Sequence, residues 1–163
     1  MRKENGFSLI ELLVVVAIIL IIAAIAIPNL LRARMAANDS SAAASIRSIN
    51  TAEIGYYAAY PGIGFPATLA TLGGATPCTP GIATACLIDN VLSAGTKSGY
   101  NFAAASVAGG PPTVSYEASA VPVTVNQTGI RSFCSFEDAV VRTQPTGAAI
   151  ATVAACQVLS PLN

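Results

Sequence analysis

The sequence has no histidine and no tryptophan, and charged residues make up only 10% of its 163 positions. The missing histidine excludes imidazole metal ligation and histidine acid–base chemistry. The charged fraction is far below the roughly 25% of an ordinary soluble domain. The net charge of zero provides no field that would attract nucleic acid. The surface must be built from Ala, Ser, Thr and Gly, which suits a protein covered by its own copies and also a bland secreted domain.

Catalytic and metal-binding patterns are also missing. The chain has no Ser/His/Asp set, no P-loop and no G-x-G-x-x-G segment, so we expect no enzymatic activity, no cofactor and no catalytic residue. Glu137 and Asp138 together with Asp89 are the one candidate calcium set. The dense D-x-D-x-D spacing of calcium loops is absent around them, and we interpret these residues as solvated turns. No metal site is predicted.

Four cysteines, which can pair in three ways, are present: Cys78, Cys86, Cys134 and Cys156. Thr79-Pro80-Gly81 reads as a turn between the first two, which favours Cys78–Cys86 with Cys134–Cys156. Four free thiols in a reducing cytosol are the alternative, and the spacings do not match a zinc finger. Disulfides would place this part of the chain outside the cytoplasm.

The N-terminal region contains a long apolar run. Every residue from Leu12 to Ile27 is apolar, and the run extends back to Phe7 with only Ser8 and Glu11 polar. As a helix, residues 7–27 would span roughly 30 Å, the thickness of a bilayer core. The run therefore predicts a membrane helix, although a carboxylate in such a helix costs roughly 2.5–3.5 kcal/mol near the bilayer centre.

A secretory signal peptide is the competing interpretation. Arg2 and Lys3 would supply its basic start, and Ala24-Ile25-Ala26 its cleavage site. The apolar core is too long for that role, and it contains a glutamate. Arg32 and Arg34 nearly balance the positive charge across the run, so charge counting does not set the orientation. We place these two arginines at the membrane surface, against anionic headgroups.

The segment "GFSLIELLVVVAIILIIAAIAIP" resembles the N-terminus of type IV pilins and of the pseudopilins of type II secretion. The resemblance implies that residues 1–6 are a leader, that prepilin peptidase cuts after Gly6, and that the new amine of Phe7 is methylated. Glu11 is then the fifth residue of the mature chain. In the family this glutamate meets the N-terminal amine of an adjacent subunit, so Phe7 and Glu11 are expected to form an assembly ion pair.

Two other roles for Glu11 remain open. Residues four apart are neighbours on a helix, so Glu11 could pair with the Phe7 amine of its own chain. The carboxylate could also snorkel to the lipid headgroups.

Beyond the apolar run, residues 28–60 have helical character. We expect one long helix that is kinked or locally loosened at Pro28 and ends before Pro61-Gly62. Its residues Ile46, Ile49, Tyr56 and Tyr60 recur near helical spacing, which predicts a face that packs on a small sheet. Asp39 could interrupt this helix or merely decorate it.

Residues 61–163 predict a globular antiparallel β domain with two disulfides. Leu69 and Leu72 are expected to tuck a short turn under the fold, and Leu87–Ala94 to form a short helix. The runs "YNFAAASV", "TVSYEASAV", "IRSFCSF" and "AVVRT" are bounded by Gly and Pro and predict a meander. The fold class is therefore α+β, a long N-terminal helix packed on a small antiparallel sheet, as the resemblance also implies.

The resemblance favours a structural subunit, first a type IV major pilin and second a type II secretion pseudopilin. A monomeric membrane-anchored binding or adhesive domain is a further alternative. The implied partners are copies of the chain itself, prepilin peptidase, membrane lipid before assembly, and the inner-membrane pilus or secretion machinery; no nucleic acid is predicted. The chain would first sit in the inner membrane as a single-pass protein with a periplasmic C-terminal domain, and later in an extracellular filament.

Overall fold

The computed structural model describes residues 7–107 and 109–162. The chain divides into two compact units, Met1–Arg34 and Met35–Asn163. The helix α1, Leu9–Ala59, contributes residues to both. Pro28 lies inside α1, so this proline does not end the helix, whereas a kink at this position stays a prediction.

The described residues of the first unit, 7–34, are helical from Leu9 onward. All of their side chains are exposed except that of Ala23, which is half-buried. By length and composition, α1 is apolar enough in this part to cross a membrane.

In the second unit, the C-terminal part of α1 lies against a sheet. The buried residues recur every three or four positions, as on one face of a helix; they include Ala42, Ala43, Ile46, Ile49, Ala52 and Tyr56. Tyr60 packs against the same core. The helix ends at Ala59, just before Pro61, which confirms the expected face and the expected end.

The sheet has six strands in chain order, each antiparallel to its neighbours. They are β1 Thr96–Lys97, β2 Tyr100–Ser106, β3 Tyr116–Pro122, β4 Ser132–Phe136, β5 Arg142–Gln144 and β6 Ser160–Pro161. Three short helices accompany them: α2 Leu69–Leu72, α3 Asn90–Ser93 and α4 Val153–Gln157. The predicted α+β class and the predicted meander are both confirmed.

On β2 and β3, buried small or aromatic residues alternate with residues that are more exposed. Tyr116, Ala118 and Ala120 of β3 are fully buried, and the residues between them are half-buried. Because side chains alternate across a strand, the alanines present a low surface that lets α1 approach closely. Every residue of β4 is buried, since α1 covers one face and a second cluster, which includes Ile150 and Cys156, covers the other.

The helix predicted over Leu87–Ala94 is shorter in the structure and begins at Asn90. The Asp89 carboxylate accepts a hydrogen bond from the Leu92 N–H at 2.8 Å and caps the helix there. Leu87 N–H instead donates to the Leu72 carbonyl at 2.7 Å. This contact holds Leu87 against α2, so the residues before Asn90 do not join the helix.

Two disulfides join the cysteines, Cys78 to Cys86 and Cys134 to Cys156. This is the pairing that the turn at Thr79-Pro80-Gly81 favours. The sulfurs of Cys134 and Cys156 lie in the cluster behind β4, where both residues are fully buried. Cys78, by contrast, is exposed.

We predict that Cys134→Ala with Cys156→Ala lowers the free energy of unfolding by about 3 kcal/mol. The bond closes a 22-residue separation and fixes α4 over β4. Cys78→Ala with Cys86→Ala is the matched control, and its 8-residue separation predicts a smaller loss of about 2 kcal/mol. Urea unfolding of each full-length double variant in detergent, followed by circular dichroism, measures both. A larger loss for the control would contradict this ranking.

Candidate functional site

The N-terminus of α1 carries the residues of the predicted processing and assembly site. Ser8 precedes the first helical residue, and the Ser8 N–H donates to Glu11 Oε2 at 2.9 Å. This is half of a capping box, in which the third helical residue reaches back to the N-cap backbone. A carboxylate also suits the positive end of the helix dipole. Glu11 therefore has a local role in the single chain.

The structure is that of the chain before any cleavage, so the nitrogen of Phe7 is a peptide nitrogen and carries no charge. The Phe7 side chain is 83% exposed. Gly6 and the rest of the predicted leader, including Arg2 and Lys3, lie outside the described residues. The salt bridges between described residues involve Asp39, Asp89 and Asp138 and not Glu11. The expected pair of Phe7 and Glu11 thus stays a prediction that needs the cut chain.

The first unit exposes large apolar side chains along its whole described length. Between Phe7 and Leu31 these side chains are 46–83% exposed. Soluble monomers rarely expose so large a continuous apolar surface, and such surfaces mark contacts with membranes or other proteins. This part of α1 therefore requires lipid or other chains around it.

Asp39 is a structural residue whose role the sequence did not reveal. It neither interrupts α1 nor decorates its surface, because it is buried at 3% exposure. Its carboxylate accepts from the Tyr100 hydroxyl at 2.5 Å, the Ile130 N–H at 3.2 Å and Arg131 Nε at 3.1 Å. A signal was available, because Asp39 shares a helical face with the apolar Ala43 and Ile46.

Asn50 makes a second polar contact between α1 and the sheet. Its Nδ2 donates to Ser135 Oγ at 2.9 Å and to the Ala139 carbonyl at 3.0 Å. Its Oδ1 accepts from the Tyr116 hydroxyl at 3.1 Å. Asn50 and Asp39 together fix how α1 lies on β2, β3 and β4.

The three carboxylates considered for calcium are each engaged by a different partner. Asp89 is 2.9 Å from Lys97 Nζ, and this hydrogen bond lowers the pKa of Asp89. Asp138 pairs with Arg142 at 2.7 Å, and Glu137 accepts from Ser115 Oγ at 2.6 Å. Within residues 7–107 and 109–162, no group of three or more His, Cys, Asp or Glu residues could hold a metal ion.

A family motif and two known proteins match parts of the chain. The family described as the prokaryotic N-terminal methylation motif matches residues 1–27. The type IV wide pilus major component PilA4 of Thermus thermophilus is 65% identical over 40 residues, which cover 24% of this chain and 30% of that protein. The type IV major pilin protein PilA of Myxococcus xanthus is 42% identical over 55 residues, 34% of this chain and 25% of that protein.

These matches span less than a third of the length of either relative. The family motif covers the segment that contains Gly6, Phe7 and Glu11, and the long helix continues beyond that segment into an α+β unit. The motif and both relatives show that part of the chain is similar to type IV pilins, and the α+β unit is compatible with that similarity.

Proposed function

We propose that this chain is the major structural subunit of a type IV pilus, cut after Gly6, methylated at Phe7 and polymerised into a surface filament. The observation that carries the proposal is the exposed apolar part of α1 with a carboxylate four residues after Phe7. Lipid satisfies the apolar surface of a stored subunit, and the same surface of other subunits satisfies it in a filament. Only the filament also brings the Phe7 amine of an adjacent cut subunit to Glu11.

The parts of the chain would act in sequence. Residues 1–6 form the leader and residues 7–27 the membrane and filament-core segment. Residues 28–60 form the outer half of the helix, and residues 61–163 the globular β domain. The compact unit begins at Met35, several residues after the apolar run ends, which leaves Arg32 and Arg34 between the run and the packed core. Two arginines there suit the headgroup region of a stored subunit.

Glu11 would exchange one partner for another during assembly. In the single chain it accepts from the Ser8 N–H. Cleavage creates a cation at Phe7, and in a low-dielectric core an opposite charge is a far stronger partner than a neutral N–H. At the correct axial offset, the Phe7 amine of one subunit meets the Glu11 carboxylate of its neighbour. At other offsets both charges would be buried without a partner, which is costly. The pair would therefore select the correct stagger.

The remaining partners follow from this route. Prepilin peptidase and the inner-membrane assembly machinery would act on the membrane-stored chain, and the disulfide-containing domain would lie in the periplasm. The work of the filament is mechanical and needs no cofactor.

Electron microscopy of sheared surface material from cells that produce the chain tests the proposal. We expect filaments that bind antibodies against the globular domain and that vanish when the gene is deleted. A chain that is cut but forms no surface filament would contradict the pilin assignment and match a pseudopilin. A chain that stays monomeric in the membrane fraction would contradict both and match an anchored binding domain.

A further inference from the structure

Glu53 is a buried acid for which the described structure provides no partner. It lies on the face of α1 that packs on the sheet, and it is 0% exposed. Neither Oε1 nor Oε2 has a hydrogen-bond partner within the described residues. A buried carboxylate without a partner is far more costly than a buried neutral acid, so the protonation state of Glu53 must affect how α1 packs.

Two tyrosines lie close enough to Glu53 to interact with its charge, Tyr56 of α1 and Tyr116 of β3. Tyr56 lies about one turn further along α1 and packs against Tyr60 in a tilted arrangement, with ring centroids 4.9 Å apart. Tyr116 of β3 packs against Phe65 at 4.8 Å. Both nearby hydroxyls already have acceptors, because Tyr56 donates to the Ile82 carbonyl at 2.8 Å and Tyr116 donates to Asn50 at 3.1 Å.

The titratable groups that act on this region are acidic or phenolic. Burial raises the pKa of Tyr56 and Tyr116, and Glu53 raises both further. Glu137 and Asp138, after β4, also raise the pKa of Tyr116. Burial raises the pKa of Glu53 itself to about 8.

Basic groups in the second unit are engaged elsewhere or exposed. Arg131, Arg142 and Lys97 pair with Asp39, Asp138 and Asp89. Arg47 of α1 is exposed.

We propose that Glu53 is a pH-sensitive switch in the packing of α1 on β3: its neutral form allows close packing, and its ionisation loosens residues 49–59 from the sheet. The switch is a property of the second unit and does not depend on whether the chain forms a filament. The trigger is the loss of one proton from a fully buried carboxyl, and the loosening of residues 49–59 is its consequence.

The sign of the effect follows from proton binding. An unfolded chain loses the Glu53 proton near the ordinary value of 4.5, whereas the folded chain retains it until about pH 8. Between these values the unfolded state binds fewer protons, so stability falls as the pH rises. The contribution of Glu53 to the stability of the fold is fully present below pH 4.5 and is lost as the pH passes 8. One proton corresponds to at most about a tenfold rise in the unfolding equilibrium constant per pH unit.

Urea unfolding of the full-length chain in neutral detergent, from pH 4.5 to 8.5, compares the wild type with Glu53→Gln. The amide keeps the shape of the neutral acid and cannot ionise. We expect the unfolding constant of the wild type, divided by that of the variant, to rise at least about a hundredfold across this range. The exposed control Glu137→Gln is expected to retain the pH dependence of the wild type. A ratio that does not change with pH for Glu53→Gln would overturn the proposal.

Two measurements on the unaltered protein do not depend on the variant folding. Carbon-13 NMR of glutamate carboxyl groups should show one group that titrates near pH 8, and titration of all of them below pH 6 would refute the switch. Hydrogen exchange, corrected for its intrinsic pH dependence, should show faster exchange at pH 8.5 than at pH 6 in residues 49–59 of α1 and in β3. Equal protection at both pH values would rule out the loosening.

Discussion

Cells that carry Glu11→Ala are expected to insert and cut the chain normally but to lose their filaments. Alanine removes a carboxylate from an apolar helix, which favours membrane insertion, and Gly6 and Phe7 remain unchanged. The assembled core, however, then holds a buried Phe7 amine without its partner. Truncating one member of a buried ion pair costs about 2–5 kcal/mol per contact, which weakens docking at each contact at least about tenfold. Filament yield after shearing, beside the amount of cut chain in the membrane, measures the effect.

Glu11→Gln separates the two roles of this residue. Glutamine can still accept from the Ser8 N–H, because capping boxes use either residue, but it has no charge for an amine. If the ion pair drives assembly, the glutamine variant should fail as the alanine variant does. If Glu11 serves only to cap α1, as the 2.9 Å contact to Ser8 alone would suggest, the glutamine variant should assemble normally. Glu137→Gln, an exposed glutamate in the globular unit, is the control that should assemble like the wild type.

Asp39→Ala is expected to lower the free energy of unfolding of the globular unit by about 3 kcal/mol. The substitution leaves the Tyr100 hydroxyl, the Ile130 N–H and the Arg131 guanidinium without their shared acceptor. Breaking a buried pair costs about 3–5 kcal/mol. The lower end applies here because the Arg131 side chain is 42% exposed and can be solvated. Urea unfolding of the full-length chain in detergent measures the loss.

Two matched variants show whether the loss comes from this contact. Ser40→Ala changes the adjacent, exposed residue of α1 and should stay within about 0.5 kcal/mol of the wild type. Asp39→Asn keeps an acceptor oxygen but removes the charge that faces Arg131, so its loss should lie between the other two. Equal losses for Asp39→Ala and Ser40→Ala would show that the buried carboxylate does not hold α1 on the sheet.

The sequence was most informative where a pattern is local. The continuous apolar run, the position of Gly6 and Phe7 before it, and the period-two strands all depend on neighbours within a few residues. The end of α1 before Pro61 and the meander of β2 to β5 follow from proline, glycine and alternation in the same way. The apolar helix, its end and the strands were predicted and agree with the structure, whereas Gly6 lies outside the described residues and its role stays a prediction.

Features that depend on distant contacts were missed. The partners of Asp39 are 61, 91 and 92 positions away in the sequence, so its burial could not be inferred from Ser40 and Ser41 beside it. The late start of α3 depends on α2, because the Leu72 carbonyl binds the Leu87 N–H. Helix α4 and strand β6 are only a few residues long. They form because the Cys134–Cys156 bond and β5 provide partners for them.

In the candidate site, too, local sequence patterns were informative and contacts with distant partners were not. Its residues could be proposed from the sequence because the motif is short and begins at a fixed distance from residue 1. The contact between Ser8 and Glu11 was not predicted, although Ser8 and the glutamate three positions later form a capping-box pattern. The assembly partner that we propose for Glu11 belongs to another subunit and would exist only after cleavage.

Mass spectrometry of the N-terminal peptide of the mature chain, purified from the membranes or filaments of cells that produce it, tests the central claim most directly. The account predicts a chain that begins at Phe7 and carries a methyl group on the Phe7 nitrogen, because only that product gives Glu11 a cationic partner at the helix start. A chain that retains Met1, or that begins after Ala26, would contradict it.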